Sequence, residues 1–218
     1  MTSMQTLLSQ DIFPSVAVFI ADRKAEFDLI PIERKAVLER LSGYARARII
    51  DGKTAHLVFI CTHNSRRSQF AQVWAQVAAD LYNLKIKTYS GGTETTAFNP
   101  RAIESLRRVG LSIEVNGTDE GNPHYLISYA QNGARMSCFS KKFCDEPNPR
   151  SGYCAVMTCS HADEACPMVI GCDLRIPVMY DDPKVADDTV EEVAVYDQRS
   201  RQICREMLYV MDSTSKSI

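Results

Sequence analysis

The stretch around residue 60 combines a short apolar run, a polar loop and an amphipathic segment, in that order. The run from His56 to Ile60 is almost entirely apolar, which is typical of a strand buried on both faces of a sheet. From about Arg67 to Leu81, apolar side chains recur at helical spacing, and the glutamines fall on the opposite side. Strand, tight loop and helix form the opening of a βαβ unit, so this stretch predicts an α/β fold.

Further strand and helix signals alternate along the chain. Strands are predicted at 86–90, 154–158 and 176–180, and helices at 100–109 and about 190–211. Alternation of this kind favours a parallel sheet that is covered on both faces. We therefore predict a flavodoxin-like three-layer α/β/α domain with a central four-stranded parallel sheet.

Two segments fall outside the alternating pattern. Residues 1–52 are predicted to form an N-terminal helical extension that ends near the turn at Asp51 and Gly52. The α/β domain then occupies residues 53–218, with an insertion at about 116–152. Glycines and prolines punctuate this insertion and no period persists, so we expect a long loop with some local structure.

Composition and charge restrict the classes of function. With 218 residues, of which 45% are hydrophobic, the chain can bury a sizeable core. Its net charge of −2 creates no global field, so we expect neither nucleic acid nor a membrane surface as a partner. The apolar runs are shorter than the roughly 20 residues of a bilayer span, and no basic residue precedes Arg23, which argues against a secretory signal. A cytoplasmic location is expected, and any anion chemistry must come from a local arrangement.

The loop from Cys61 to Ser68 carries the residue types of an oxyanion site. A loop of this length before a helix can curl so that its amides point inward, and the helix end adds about half a positive charge. Arg67 offers a planar fork for a tetrahedral oxyanion, Asn64 tolerates left-handed backbone geometry, and Ser68 can donate a hydrogen bond to sulfur. The same field favours a thiolate at Cys61, the predicted nucleophile. The predicted oxyanion-binding residues are Thr62, His63, Asn64, Ser65, Arg66, Arg67 and Ser68.

A simpler interpretation of the loop remains open at this point. Cys61 could be an inert buried cysteine that follows a core strand, with two solvated arginines beyond it. Against that interpretation, Cys61, Cys159 and Asp182 each follow a predicted strand. Ligands of such sheets bind beyond the carboxyl ends of the strands, so these three residues could meet at one edge.

The segment from Cys61 to Ser68 resembles the phosphate-binding loop of the low-molecular-weight protein tyrosine phosphatase superfamily. Tyr89–Gly92 and Asn99–Ile103 are similar to the second strand and following helix of that family, and the resemblance covers roughly residues 55–115 and 153–210, leaving the insertion unmatched. Asp182, before Pro183, is similar to the family's general acid, a role that a carboxylic acid can fill by protonating a leaving oxygen. Without the resemblance, an aspartate before proline can simply initiate a turn.

The segment from Cys159 to Pro167 looks like the redox segment of thioredoxin-coupled arsenate reductases, which share the phosphatase fold. The resemblance implies that Cys61 forms an adduct with arsenate, Cys159 attacks Cys61 and releases arsenite, and Cys166 carries the disulfide outward to thioredoxin. The sulfurs of Cys159 and Cys166, with six residues between them, meet only if the intervening segment bends or loses its helix, so a mobile 159–166 segment is expected. The alternatives are a pair of structural cysteines, or zinc ligands.

Several positions depart from the family pattern. His63 stands where glycine is common, and Arg66 stands where cysteine or an apolar residue is common; the Arg66 side chain either deepens the positive pocket or, by default, points into solvent. Gln72 lies where the reductases tend to carry an acidic residue near a potassium site, so no potassium ion or other cofactor is predicted. The cysteine gaps are mostly longer than those of structural zinc sites, and no metal is predicted. No role is predicted for Cys138, Cys144, Cys154, Cys172 and Cys204.

The leading functional hypothesis is arsenate reduction through Cys61, Cys159 and Cys166. The first alternative is a phosphomonoester hydrolase of the tyrosine phosphatase type that uses Cys61, Arg67 and Asp182. The second is a non-catalytic phosphate-binding or redox-sensing module. The expected partners are a phosphate or arsenate oxyanion, together with thioredoxin for the arsenate reductase and a phosphoprotein for the phosphatase.

Overall fold

The computed structural model describes residues 11–165 and 168–216. Two helices precede the sheet, α1 (Pro14–Ala25) and α2 (Ile32–Ile50), with a 3₁₀ turn at Phe27–Leu29 between them. Both helices pack against the long C-terminal helix, and their buried residues join the main core. The described part of the predicted N-terminal extension is therefore helical.

Seven strands occur in the described ranges. They are β1 (Ala55–Cys61), β2 (Ile86–Gly92), β3 (Ser112–Asn116), β4 (His124–Ser128), β5 (Met136–Cys138), β6 (Tyr153–Met157) and β7 (Cys172–Pro177). The central sheet has the order β2-β1-β6-β7, and all of its neighbouring strands are parallel. The predicted four-stranded parallel sheet is confirmed.

The remaining helices connect the strands. They are α3 (Arg67–Leu81), α4 (Pro100–Val109), α5 (Ser160–Ala165) and α6 (Glu192–Ser215), with a 3₁₀ turn at Pro183–Ala186. The α3 and α4 boundaries match the prediction. In α4 the reasons are local: the Asn99 side chain accepts a bond from the Arg101 amide, Pro100 occupies the first turn, and Gly110 ends the helix with a φ of 106°. No helix among the described residues has both the length and the hydropathy of a bilayer span.

The two faces of the central sheet are covered unequally. On one face, the large main core includes residues of α1, α2, α3, α4 and α6. On the other face, a smaller apolar cluster lies beneath α5; it contains Val58, Ile60, Cys61, Tyr153, Ala155, Met157, Cys159, Ala162 and Val169. Residues of β1 alternate between the two cores because successive side chains of a strand point to opposite faces. Cys61 departs from this alternation at the end of the strand and joins Ile60 in the smaller cluster, on the thinly covered face.

Two strands in the region predicted as a long loop form an ordered second sheet with β3, which lies just before it. Strands β3, β4 and β5 form a three-stranded antiparallel sheet, with Tyr125 opposite Cys138 and Val115 opposite Tyr125. Tyr125, Ile127 and Met136 join the main core. The prediction missed this sheet because its strands have only three to five residues, too few for a period to stand out among the glycine- and proline-rich turns.

The last strand also differs from its predicted position. A strand was predicted at 176–180, whereas β7 begins at Cys172 and ends at Pro177. Its first residues include Asp173 and Arg175 and are partly exposed, as expected for the edge of a sheet. The apolar run that produced the prediction marks instead the place where the chain leaves the sheet. Val178 and Tyr180 still donate backbone hydrogen bonds to the end of β6 and the residue after it.

Candidate active site

Cys61 is the last residue of β1 and lies beside the first turn of α3. Its side chain is buried, with 3% of the residue exposed. Its sulfur lies 3.0 Å from Ser68 Oγ, also buried. The predicted proximity of the serine hydroxyl to the thiol is therefore present in the structure.

The backbone of the loop is oriented consistently by its surroundings. The carbonyls of residues 61–65 all accept hydrogen bonds from groups outside residues 61–68. The donors are Thr93 N, Thr93 Oγ1, Glu94 N, Thr96 Oγ1, Ser140 Oγ, Gln69 Nε2 and Asn99 N. The amides of residues 62–68 donate to no protein group within the described ranges. With its carbonyls committed elsewhere, the loop retains its amides for an anion.

Asn64 determines the direction of the hydrogen bonds that end at the nucleophile. It has a φ of 47°, in the left-handed region, and it is fully buried. Its Oδ1 accepts from the Lys141 amide at 3.0 Å, so its Nδ2 must be the group that donates to Ser68 Oγ at 2.9 Å. Because Ser68 accepts from Asn64, its own hydroxyl hydrogen is available for the Cys61 sulfur.

Gly92, opposite Cys61 in the β1–β2 register, lets the loop lie directly against β2. A Cβ atom at this position would stand 2.6 Å from the Thr62 carbonyl oxygen and 2.8 Å from the Asn64 amide nitrogen. Both are backbone atoms of the loop, which cannot move aside without changing the oxyanion site. Any side chain at residue 92 would therefore disturb the loop.

Arg67 contacts the loop that follows β7. Its Nη2 lies 2.7 Å from Asp182 Oδ2, and its Nη1 donates to the Tyr180 carbonyl at 3.2 Å. Its Nε is buried and has no partner in the described part of the chain. Asp182 Oδ1 accepts from the Lys184 amide at the start of the 3₁₀ turn. The structure thus brings the predicted arginine and the predicted acid together as an ion pair.

Arg66 does not point into solvent, so the default expectation for this side chain was wrong. Its side chain is 11% exposed, and its Nε donates to the Tyr196 hydroxyl at 2.8 Å. Asp187 lies 3.6 Å from Nη2 and accepts from Tyr196 at 2.7 Å. Burial, with the bond to Asp187, raises the pKa of Tyr196, which remains a neutral donor. These partners lie far away in sequence, so no local pattern reveals them.

Cys159 follows β6 and precedes α5, with 1% of the residue exposed. Its sulfur lies 3.5 Å from Thr62 Oγ1 and accepts from the Ala162 amide at 3.4 Å. The same threonine oxygen lies 3.4 Å from His161 Nδ1. Thr62 therefore links the second predicted thiol to the loop of the first. Cys166, the third predicted thiol, lies outside the described residues.

The side chains of His63 and Ser65 make contacts away from Cys61. His63 Nε2 lies 3.4 Å from Glu94 Oε2, and Ser65 Oγ donates to the Ala97 carbonyl at 2.7 Å. Through their amides these two residues remain available to an anion. A cleft of about 320 Å³ runs past this side of the loop; it is lined by His63, Ser65, Arg66, Thr96, Ala97, Asn99, Pro100 and Lys184.

The sequence analysis missed the segment around Lys141, which supports the loop from the side of β2. The Phe139 carbonyl accepts from Gln69 Nε2 at 2.9 Å, and the same Nε2 donates to the Asn64 carbonyl. Lys141 is 4% exposed, and burial lowers the pKa of its ammonium to about 8. Gly92 N donates to the Lys141 carbonyl at 2.8 Å. This segment lies in the aperiodic insertion, where no sequence signal marks it.

The other cysteines of the described chain lie outside this arrangement. Cys138, Cys154 and Cys204 are buried, and burial raises the pKa of each thiol, to about 12 for Cys138. Such thiols are poor nucleophiles. Cys144 is exposed and Cys172 is partly exposed. Across the described ranges, no group of three or more histidine, cysteine or acidic side chains is arranged to hold a metal ion.

Comparisons with known proteins agree with this architecture. No protein-family model matches the chain. A stretch of 64 residues is 47% identical to an arsenate reductase of Staphylococcus aureus (strain Newman), covering 29% of this chain and 46% of that protein. The match thus spans about half the length of that relative. A longer match, 31% identical over 146 residues, covers 66% of this chain and 86% of the arsenate reductase of Bacillus subtilis (strain 168).

A solved structure supports the same fold. The crystal structure of a YwlE mutant from Bacillus subtilis superposes with a TM-score of 0.51 and 14% sequence identity. The superposition covers 73% of this chain and 97% of the other. At this level of identity the likeness concerns the fold alone.

Proposed function

Because this chain belongs to the arsenate reductase family, within the low-molecular-weight protein tyrosine phosphatase superfamily, we propose that it reduces arsenate to arsenite. Cys61 is the proposed nucleophile, Cys159 the second thiol and Cys166 the third. Arg67 and the loop amides bind the oxyanion, and Ser68 supports the nucleophilic sulfur.

In the proposed first step, the Cys61 thiolate attacks arsenic, and an arsenate hydroxyl takes up a proton from solvent and leaves as water. The amides of residues 62–68 and the Arg67 guanidinium hold the remaining oxygens. Arg67 is already paired with Asp182 at 2.7 Å. Arsenate binding therefore exchanges this carboxylate for an arsenate oxygen. Ser68, 3.0 Å from the sulfur, stabilises the thiolate before attack.

In the proposed second step, Cys159 attacks the Cys61 sulfur. A sulfur–sulfur bond forms, the Cys61–arsenic bond breaks, and its electron pair stays on arsenic, which is reduced from arsenic(V) to arsenic(III). Arsenite leaves, and the two thiols are oxidised to a disulfide. Cys166 then attacks Cys159 and presents the disulfide to thioredoxin, the proposed reductant.

The observation that carries the proposal is the contact between Thr62 and Cys159. Thr62 directly follows the nucleophile, and its hydroxyl lies 3.5 Å from the Cys159 sulfur. Both sulfurs also belong to one small apolar cluster. Hydrolysis of a phosphate ester requires no second thiol. A buried cysteine against the oxyanion loop therefore supports a reductase more than a phosphatase.

The second candidate is a phosphomonoester hydrolase that acts on a phosphoprotein, with Asp182 as the general acid. The position of Asp182 next to Arg67 favours it. However, Asp182 accepts with both carboxylate oxygens, one from Arg67 and one from the Lys184 amide. An acid must instead carry a proton toward the leaving oxygen. Hydrolysis would need Asp182 to give up both bonds and take up a proton, whereas reduction only requires Arg67 to release it, so we propose hydrolysis as the secondary activity.

Parallel assays of arsenate turnover with thioredoxin and of aryl phosphate hydrolysis test the proposal. The variants are Cys61→Ser, Cys159→Ser and Cys166→Ser, with Cys144→Ser as the matched control because Cys144 is exposed. Arsenate turnover should vanish in the first three and persist in the control.

Three other results would contradict the proposed reductase function. Arsenate turnover that survives in both Cys159→Ser and Cys166→Ser would exclude the relay. Efficient aryl phosphate hydrolysis that survives Cys159→Ser and collapses in Cys61→Ser, without arsenate turnover, would identify a phosphatase. Oxyanion binding without turnover of either substrate would identify a binding or sensing module.

A further inference from the structure

We propose that His161 accepts, through the Thr62 hydroxyl, the proton that Cys159 loses before it attacks Cys61. This inference rests on the proposed reductase function and adds a positioning residue to it. The sequence analysis gave His161 no role. The inference comes from three atoms in a row: the Cys159 sulfur, the Thr62 oxygen and the His161 nitrogen.

The geometry allows a proton to pass along this row. Thr62 Oγ1 lies 3.5 Å from Cys159 Sγ and 3.4 Å from His161 Nδ1. A threonine hydroxyl carries one hydrogen and two lone pairs, so it can accept from the thiol while it donates to the imidazole. Distances of this length are common before the substrate binds and shorten in the reacting complex.

Cys159 has no other route for its proton within the described part of the chain. Its sulfur makes two hydrogen bonds there, with Thr62 Oγ1 and with the Ala162 amide. The amide can stabilise a thiolate but cannot accept a proton. The sulfur is buried, so bulk water does not serve it directly, whereas His161 is exposed and can release a proton to solvent.

The titratable groups around α5 leave this role to His161. Beneath α5, the small apolar cluster contains Cys61, the reaction partner, and Tyr153, whose pKa burial raises to about 12. On α5 itself, Asp163 is paired with Arg175 of β7, and Glu164 is exposed.

The remaining nearby imidazole is already engaged elsewhere. His63 of the oxyanion loop lies against Glu94, and among the described contacts Thr62 meets His161 rather than His63. Imidazole is the side chain that ordinarily exchanges protons near neutral pH.

The Cys159 thiol gives its proton to Thr62 Oγ1 as Thr62 gives its own proton to His161 Nδ1. The resulting thiolate attacks Cys61, the disulfide forms, and the electron pair of the Cys61–arsenic bond remains on arsenic. His161 then loses its proton to solvent, and a dithiol reductant later returns two electrons and two protons to the disulfide.

A single-turnover experiment without reductant isolates this step. Full-length protein is mixed with arsenate, and the release of arsenite and the loss of two thiols are followed in time. His161→Ala should slow both by roughly ten- to a hundredfold, at or below the lower end of what a positioned proton acceptor supplies. Added imidazole should restore much of the rate, because the position is exposed. Glu164→Gln, on the same helix, is the matched control and should match the wild type.

Variants of Thr62 separate a proton relay from a structural role. Thr62→Val should lose as much rate as His161→Ala, and Thr62→Ser, which keeps the hydroxyl, should recover most of that loss. The double variant Thr62→Val/His161→Ala should be no slower than Thr62→Val, and imidazole should not rescue it. The relay would be overturned if His161→Ala reacted at the wild-type rate. It would also be overturned if His161→Ala were slow, imidazole did not restore its rate, and the losses of the two single variants were additive in the double variant.

A second measurement does not depend on arsenate. The alkylation rate of Cys159 is followed by peptide mass spectrometry in the wild type, His161→Ala and Thr62→Val. Slower alkylation in both variants, with imidazole rescue in His161→Ala alone, supports the relay. If these results were obtained with a protein that does not reduce arsenate, only the proposed function would fail. Equal alkylation rates in all three proteins would reject the relay even if arsenate is reduced.

Discussion

Replacement of Asn64 by aspartate should slow the reaction of Cys61 while leaving the fold intact. Aspartate has the same shape, tolerates the left-handed φ of 47°, and still accepts from the Lys141 amide. It cannot donate to Ser68, however, so the serine hydroxyl turns its hydrogen toward the new carboxylate. The Cys61 sulfur then loses the donor that lies 3.0 Å away.

The size of this loss follows from the hydrogen bond that is removed. A hydrogen bond to a charged group contributes about 1.5–3 kcal/mol. This corresponds to a fall in kcat/KM of roughly ten- to 150-fold. Asn64→Ala should behave differently, because it strands the buried Lys141 amide and leaves alanine in the left-handed region. It should lower the free energy of unfolding by about 2–4 kcal/mol.

Steady-state kinetics and urea unfolding of Asn64→Asp, Asn64→Ala and Ser68→Ala test this reasoning. Ser68→Ala removes the same donor, so adding Asn64→Asp to it should cost much less than Asn64→Asp costs alone. An Asn64→Asp protein with wild-type kcat/KM would refute the hydrogen-bond direction inferred at the nucleophile. Fully additive losses in the double variant would refute it equally.

Three further changes have expected outcomes. Gly92→Ala should lower the free energy of unfolding by about 1–3 kcal/mol and weaken phosphate binding, because its Cβ would meet loop backbone. Gly43→Ala lies in a helix, where its Cβ would contact the Arg46 side chain at 3.9 Å without a clash, and should instead stabilise by up to about 1 kcal/mol in urea unfolding. Tyr196→Phe should strand Arg66 Nε and cost about 1–3 kcal/mol in the same assay. Burial lowers the pKa of Lys141 to about 8, so above that pH the unfolded chain binds more protons than the folded protein, and the free energy of unfolding should rise from about pH 8 to 10. Lys141→Met should abolish this rise when melting is measured as a function of pH.

The elements that could be predicted from sequence are those whose boundaries have local causes. Helix α4 begins with an asparagine cap and a proline and ends at a left-handed glycine, so residues at or next to its ends determine its boundaries. The central strand β1 is buried along its length and reads as an apolar run. Strand β7 lies at the sheet edge and carries polar residues, which is why the strand predicted at 176–180 lies C-terminal to the observed one.

The parts of the site that could not be predicted depend on contacts between distant segments. The loop motif indicated the nucleophile, but most of the groups that bind its carbonyls come from the loop after β2 and from the insertion, as Thr96 and Ser140 illustrate. Arg66 is buried because it contacts Tyr196 and Asp187, which lie more than 100 residues later in the sequence. Propensity and periodicity describe neighbours in sequence, and they carry no information on such partners.

The unequal cover of the sheet gives the proposed disulfide exchange a route that leaves most of the fold intact. Exchange requires the segment after Cys159 to bend or lose its helix, and this segment begins with α5, of only six residues. The residues beneath α5 belong to the small apolar cluster, whereas the helices α1, α2, α3, α4 and α6 contribute to the main core. Local opening costs less free energy where fewer buried apolar contacts are lost. Unwinding of α5 would expose Cys159 and Cys61 together, because both lie in the small cluster, while the main core continues to hold the oxyanion loop against β2.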